Sequence, residues 1–201
     1  EAHWAAAPAD RGPISPAVPR ESQLRVLRTN YRCHQGVLSV ANLCVEMMMQ
    51  LFPNSVDAIE PERAHFAGAA PLLFLDDDFN DVADVFSGGH TASDFGANQV
   101  IIVRDEAAKR ALPAQLAGAL VMTPLEAKGL EFDDVVAYNF FKDSAAPDRA
   151  WGAAAHEIGC PGDAAAAFDA RTHLVLSDEL KQLYVACTRA RERLVFFDER
   201  K

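Results

Sequence analysis

Cysteine is scarce in this chain: four in 201 residues, Cys33, Cys44, Cys160 and Cys187. No two form a C-x-x-C pair. That spacing argues against a zinc ribbon or a disulfide framework, and free thiols in a reducing intracellular compartment are expected. Cationic side chains are in deficit, 19 Lys and Arg against 29 Asp and Glu, for a net charge of −10. A free-standing nucleic-acid binder ordinarily carries a basic surface, so only a narrow basic channel shared with a partner remains open. No apolar run is long enough to span a membrane, and no stretch reads as a signal peptide. The histidines are scattered. His156, Glu157 and Cys160 fall close together, but zinc needs more ligands at consistent spacing. There is no G-x-S-x-G nucleophile turn. Also missing is G-x-x-x-x-G-K-[ST], the loop whose backbone cradles nucleotide phosphates. Asp76-Asp77-Asp78 follows the apolar run Leu72–Leu75. Without a phosphate loop before it, that acidic run reads as a solvated strand end. A first residue of Glu1 instead of Met points to a fragment of a longer chain.

What is present is enough apolar material for one core: half of the residues are hydrophobic. Residues 1–20 are rich in Pro and Ala and read as a flexible arm. A short strand is expected over 24–28. Val37, Leu38, Ala41, Cys44, Val45, Met48 and Phe52 recur at helical spacing and predict a helix over Gln35–Leu51, stopped by Pro53-Asn54. Strands are predicted at Leu72–Leu75, Gln99–Val103, Ala119–Met122, Val135–Tyr138 and Leu194–Phe197. Helices are predicted at Val82–Phe86, Glu106–Leu112 and Asp178–Thr188. Residues 142–173 read as a polar, Ala-rich, irregular insertion. Buried strands alternating with helices give an α/β class with a mainly parallel sheet.

Three stretches carry chemistry: Leu27-Arg-Thr-Asn-Tyr-Arg-Cys-His34, Val121-Met-Thr-Pro-Leu-Glu-Ala-Lys-Gly-Leu-Glu-Phe132 and Glu179-Leu-Lys-Gln-Leu-Tyr-Val-Ala-Cys-Thr-Arg-Ala190. An arginine such as Arg32 or Arg189 offers a rigid fork of donors with a permanent charge, suited to phosphate oxygens. Gly129 permits close backbone approach or positive φ, and Glu131 beside it can accept from a hydroxyl. Each feature has a plain structural reading too. Arg32 could be a surface residue in a turn, Gly129 a simple turn glycine, and Arg189 a cation at a helix C-terminus.

In this order the three stretches resemble motifs IV, V and VI of superfamily 1 helicases of the UvrD/Rep/PcrA type, over roughly residues 24–141 and 176–199. Phe95–Val103, Asn139–Ser144 and Glu179–Tyr184 look like the helicase-like region of the large TPR and ankyrin repeat-containing proteins. The resemblance implies a RecA-like (P-loop NTPase-like) second motor domain over 21–201. The interval from Arg32 to Ala127 is too short for the extra domain that UvrD proteins insert there. The implied cofactor is ATP with Mg2+, bound mainly by a first RecA-like domain of the same full-length protein. By resemblance Tyr31 stacks on adenine, Arg32 and Arg189 are the catalytic arginines at the γ-phosphate, and Glu131, next to Gly129, takes a ribose hydroxyl. Thr123 and Lys128 belong to the region that meets single-stranded nucleic acid, DNA in this branch. Leu125 stands where T-x-H-x-x-K-G carries its His, which bears on DNA contact and unwinding more than on nucleotide binding. Alone, the chain is expected to be inactive. The alternatives are a degenerate helicase-like scaffold in a large repeat protein and the RNA-acting branch of the superfamily, echoed by Tyr31-Arg32-Cys33-His34.

Overall fold

A computed structural model describes residues 27–58, 60–76, 79, 98–116, 118–162 and 167–199. The N-terminal arm, residues 24–26 of the first expected strand, Asp77-Asp78 and the helix expected at Val82–Phe86 lie outside the described residues. In chain order the elements are β1 (Thr29–Asn30), α1 (Gln35–Leu51), β2 (Arg63–Ala64), β3 (Leu72–Leu75), β4 (Gln99–Ile102) and α2 (Glu106–Arg110). There follow a single 3₁₀ turn (Ala114–Leu116), β5 (Val121–Met122), β6 (Phe132–Tyr138), α3 (Asp148–Glu157), α4 (Leu174–Cys187) and β7 (Ala190–Asp198).

Five strands form one sheet in the order β3-β7-β6-β4-β5, every pair parallel. β1 and β2 make a separate parallel ribbon. Period-two alternation splits the central strands between two faces. Val100, Ile102, Val135, Ala137, Leu194 and Phe196 face α1 and α4, where they meet Val37, Ala41, Leu183 and Ala186. Ile101, Val103, Val136, Tyr138, Val195 and Phe197 face the other way, onto Leu116, Ala108 and Leu112. The layered α/β sheet agrees with the RecA-like fold class expected from the sequence. Among the described residues no helix is long and apolar enough to cross a membrane.

Helix α1 begins where His34 turns its ring onto the first free amides: Nδ1 accepts from Gly36 N at 3.1 Å and Val37 N at 3.4 Å. It ends before Pro53-Asn54, with Asn54 at φ 72°. The stretch 142–173, expected to be irregular, carries the ten-residue helix α3. Its Ala150 and Ala154 pack against Met48 and Leu51 of α1 and Leu176 and Leu180 of α4. Alanines at helical spacing supply that face without the large side chains that usually mark one. Helix α4 starts at Leu174, earlier than expected, because Leu176 joins the same cluster.

One charge lies inside the helical layer. Glu179 is fully buried and accepts from Arg104 Nε at 3.1 Å, from Arg104 Nη2 and from Ser144 Oγ at 2.9 Å. Ser144 Oγ also receives Trp151 Nε1 at 3.0 Å. This network ties the exit of β4 to α4 and to the loop before α3. Glu179→Ala would leave a guanidinium without its counter-charge and should cost roughly 3–5 kcal/mol in urea unfolding. Combining Arg104→Met with Glu179→Leu should recover most of that loss. A single Glu179→Ala within error of wild type would show that the network contributes nothing to stability.

Candidate functional site

The Tyr31-Arg32 turn is built by Asn30. Its Oδ1 accepts from Arg32 N at 2.9 Å and Cys33 N at 3.1 Å, while its Nδ2 donates to Glu62 Oε2 at 2.9 Å. The turn holds Tyr31 outward: it is 68% exposed, with its ring centroid 5.0 Å from that of His65. Arg32 Nε meets Glu131 Oε2 at 2.9 Å, and both side chains are half-exposed, 48% and 47%.

Arg189 follows α4 and precedes β7, and it is 9% exposed. Its Nε donates to Val185 O at 3.0 Å, Nη1 to Leu130 O at 2.9 Å and Nη2 to Thr188 Oγ1 at 3.0 Å. Burial pushes its guanidinium below its ordinary range, and the neighbouring Arg32 cation pushes it further. Its own carbonyl accepts from Phe132 N at 2.9 Å, so Glu131 and Arg189 flank the edge where β6 and β7 begin. A cleft of about 350 Å³ opens there, lined by Tyr31, Arg32, Glu62, Tyr184, Thr188 and Arg189. Burial first, and then the Glu62 charge, raise both the Tyr184 hydroxyl and the Cys33 thiol.

Thr123 and Lys128 lie apart from that group. They line a second cleft of about 490 Å³ with Arg104, Leu125, Gln182 and Val185. Thr123 closes a local ring: its N and Oγ1 donate to Glu126 Oε2 at 2.8 and 3.2 Å. That backbone N–H, with Lys109 next, holds the Glu126 carboxyl below its usual range. Leu125, at the position where the motif carries His, is 81% exposed on the lip. Between the clefts, Gly129 turns the chain at φ 87°.

The structure thus brings Tyr31, Arg32, Glu131 and Arg189 to one edge and leaves Thr123 and Lys128 at another opening. Glu131 contacts Arg32, so in this arrangement its carboxylate is engaged. The sequence reading missed Glu62, which sits in no motif and reaches the cleft only through β2. It also missed Glu126, although Thr123-x-x-Glu126 has the spacing of a capping box.

No family model matches the chain. It is similar to human TPR and ankyrin repeat-containing protein 1, 36% identical over 209 residues that cover 92% of this chain and 7% of that protein. The chain therefore spans a small part of this curated relative's length. Among solved structures it is similar to the C-terminal domain of a possible DNA helicase from Lactobacillus plantarum, with a TM-score of 0.45 and 16% identity. That match covers 84% of this chain and 87% of the other.

A methyl group added at Gly129 would meet nothing within 4 Å, yet its φ of 87° disfavours a side chain. Gly129→Ala should therefore destabilise by roughly 1–2 kcal/mol through backbone strain alone. Gly129→Asn should cost less, since Asn tolerates the left-handed region better. Thermal melts of the two variants check the order. Ala melting with wild type would mean that the turn relaxes freely.

Proposed function

We propose that this chain is the second RecA-like half of a UvrD-like, ATP-driven helicase or translocase. In this reading it completes an ATP–Mg2+ site held mainly by a first RecA-like domain elsewhere on a longer protein. The observation that carries the reading is convergence. Tyr31-Arg32, Leu130-Glu131 and Thr188-Arg189 come from distant stretches and meet on one edge of the sheet. An exposed aromatic ring, an exchangeable Arg fork and a buried cation behind it form a donor set that fits a nucleotide triphosphate. The half-exposed Arg32 can leave Glu131 for a phosphate oxygen, because a pair in that setting contributes little stability. Arg189 contributes fixed positive charge in a partly dry cleft, where developing phosphoryl charge gains most. Glu131, once released, is free for a ribose hydroxyl. Thr123, Lys128 and the second cleft are assigned to single-stranded nucleic acid, DNA by the motif pattern.

A second reading is a helicase-like scaffold without turnover. Two observations favour it: the three donor nitrogens of Arg189 are all bonded within the chain, and the net charge is −10. Steady-state ATPase kinetics on the full-length protein separate the two. Under the motor reading, Arg32→Ala lowers turnover roughly 10³-fold with little change in melting temperature. Arg189→Ala lowers both, since it also removes three internal hydrogen bonds. Tyr31→Ala raises KM for ATP and leaves kcat alone. No ATPase in the full-length protein, or none of these effects, establishes the scaffold.

A further inference from the structure

The nucleotide-facing cleft also holds a carboxylate, Glu62, built in by three amide contacts. Asn42 Nδ2 donates to Glu62 O at 2.9 Å, and Glu62 N donates to Asn42 Oδ1 at 3.2 Å. Asn30 Nδ2 donates to Glu62 Oε2 at 2.9 Å. Backbone and side chain are both pinned, one from α1 and the other from the Tyr31-Arg32 turn. Glu62 lines the cleft together with Cys33 and Tyr184. Arg32 and Arg189 line the same cleft. Even so, among the described residues Glu62 forms no ion pair, and its Oε1 takes no hydrogen bond.

The cleft therefore carries both signs of charge. Arg32 and Arg189 line it as cations, Glu62 as a pinned anionic acceptor, and the exposed Tyr31 ring lies on the same lining. A complementary ligand carries anionic oxygens and, apart from them, an N–H or O–H donor on a flat ring system. That is the layout of a nucleotide, and a carboxylate oxygen discriminates sharply between a donor and an acceptor facing it.

We propose that Glu62 Oε1 accepts a hydrogen bond from the exocyclic amino group of the base, so that the cleft selects adenine over bases presenting a carbonyl at that position. The proposal rests on the nucleotide reading given above, and its test separates the two. The full-length protein is titrated with ATP, ITP, deoxy-ATP and inorganic tripolyphosphate in the presence of Mg2+, followed by calorimetry. ATP should bind about tenfold or more tighter than ITP, the discrimination of a hydrogen bond to a charged acceptor. In Glu62→Gln the amide oxygen can keep the Asn30 bond and turn its NH₂ into the cleft. The ATP-over-ITP preference should then vanish or reverse, with tripolyphosphate affinity unchanged.

Equal ATP and ITP affinity in the wild type overturns the inference while leaving nucleotide binding intact, and it needs no variant. Glu62→Gln erasing the difference between ATP and deoxy-ATP instead assigns Glu62 to the sugar and overturns base selection. Failure of both ATP and tripolyphosphate to bind overturns the nucleotide reading itself.

Discussion

A buried guanidinium organises this edge of the molecule. A cation withdrawn from water is tolerated only when its donors are met, and Arg189 meets them with Val185 O, Leu130 O and Thr188 Oγ1. Val185 O belongs to the last turn of α4, where helix carbonyls lack partners, and Leu130 O belongs to the loop entering β6. One side chain thus joins a helix end to the start of a neighbouring strand. The Arg189 carbonyl adds a second tie by accepting from Phe132 N. With both in place, the positions of Gly129, Glu131 and the mouth of the cleft follow.

Two ion pairs in the chain show how burial separates structure from exchange. Arg104 and Glu179 are enclosed, with Glu179 fully buried and a serine completing its coordination. Removing one partner there exposes a desolvation penalty. Arg32 and Glu131 lie half in water, where the Coulomb attraction is screened and either group can change partner at small cost. In a chain of net charge −10, Arg32 and Arg189 nevertheless converge on one cleft.

The sheet was legible because its central strands are continuous apolar runs. Val100–Val103, Val135–Tyr138 and Leu194–Phe197 alternate between two buried faces, the pattern expected of a parallel sheet covered on both sides. Helix α3 was not legible, because Ala150, Ala153 and Ala154 give a weak apolar stripe and their partners come from α1 and α4. Tyr31, Arg32, Glu131 and Arg189, singled out by motif resemblance, lie at one edge of the sheet. Their mutual engagement was not legible, since Arg32 with Glu131 and Arg189 with Leu130 are contacts across long sequence separations. Glu62 was invisible for the same reason: a lone glutamate between two short strands carries no local signal until Asn30 and Asn42 close around it.

The β1–β2 ribbon is bonded to α1 at several points. Gln35 N donates to Phe66 O at 2.9 Å, and Ala64 N donates to Gln35 Oε1 at 3.1 Å. A Cβ at Gly68 would fall 2.1 Å from the His34 ring, and one at Gly36 would fall 1.8 Å from Ala69 O, so both glycines allow contact at a range that excludes any side chain. Because α1 shares one core with α4, both walls of the cleft are anchored to the same packed interior. Among the described residues, Arg32 and Glu131 can then trade partners at this mouth over a backbone tied to one core, which limits the ordering entropy lost when a guest arrives.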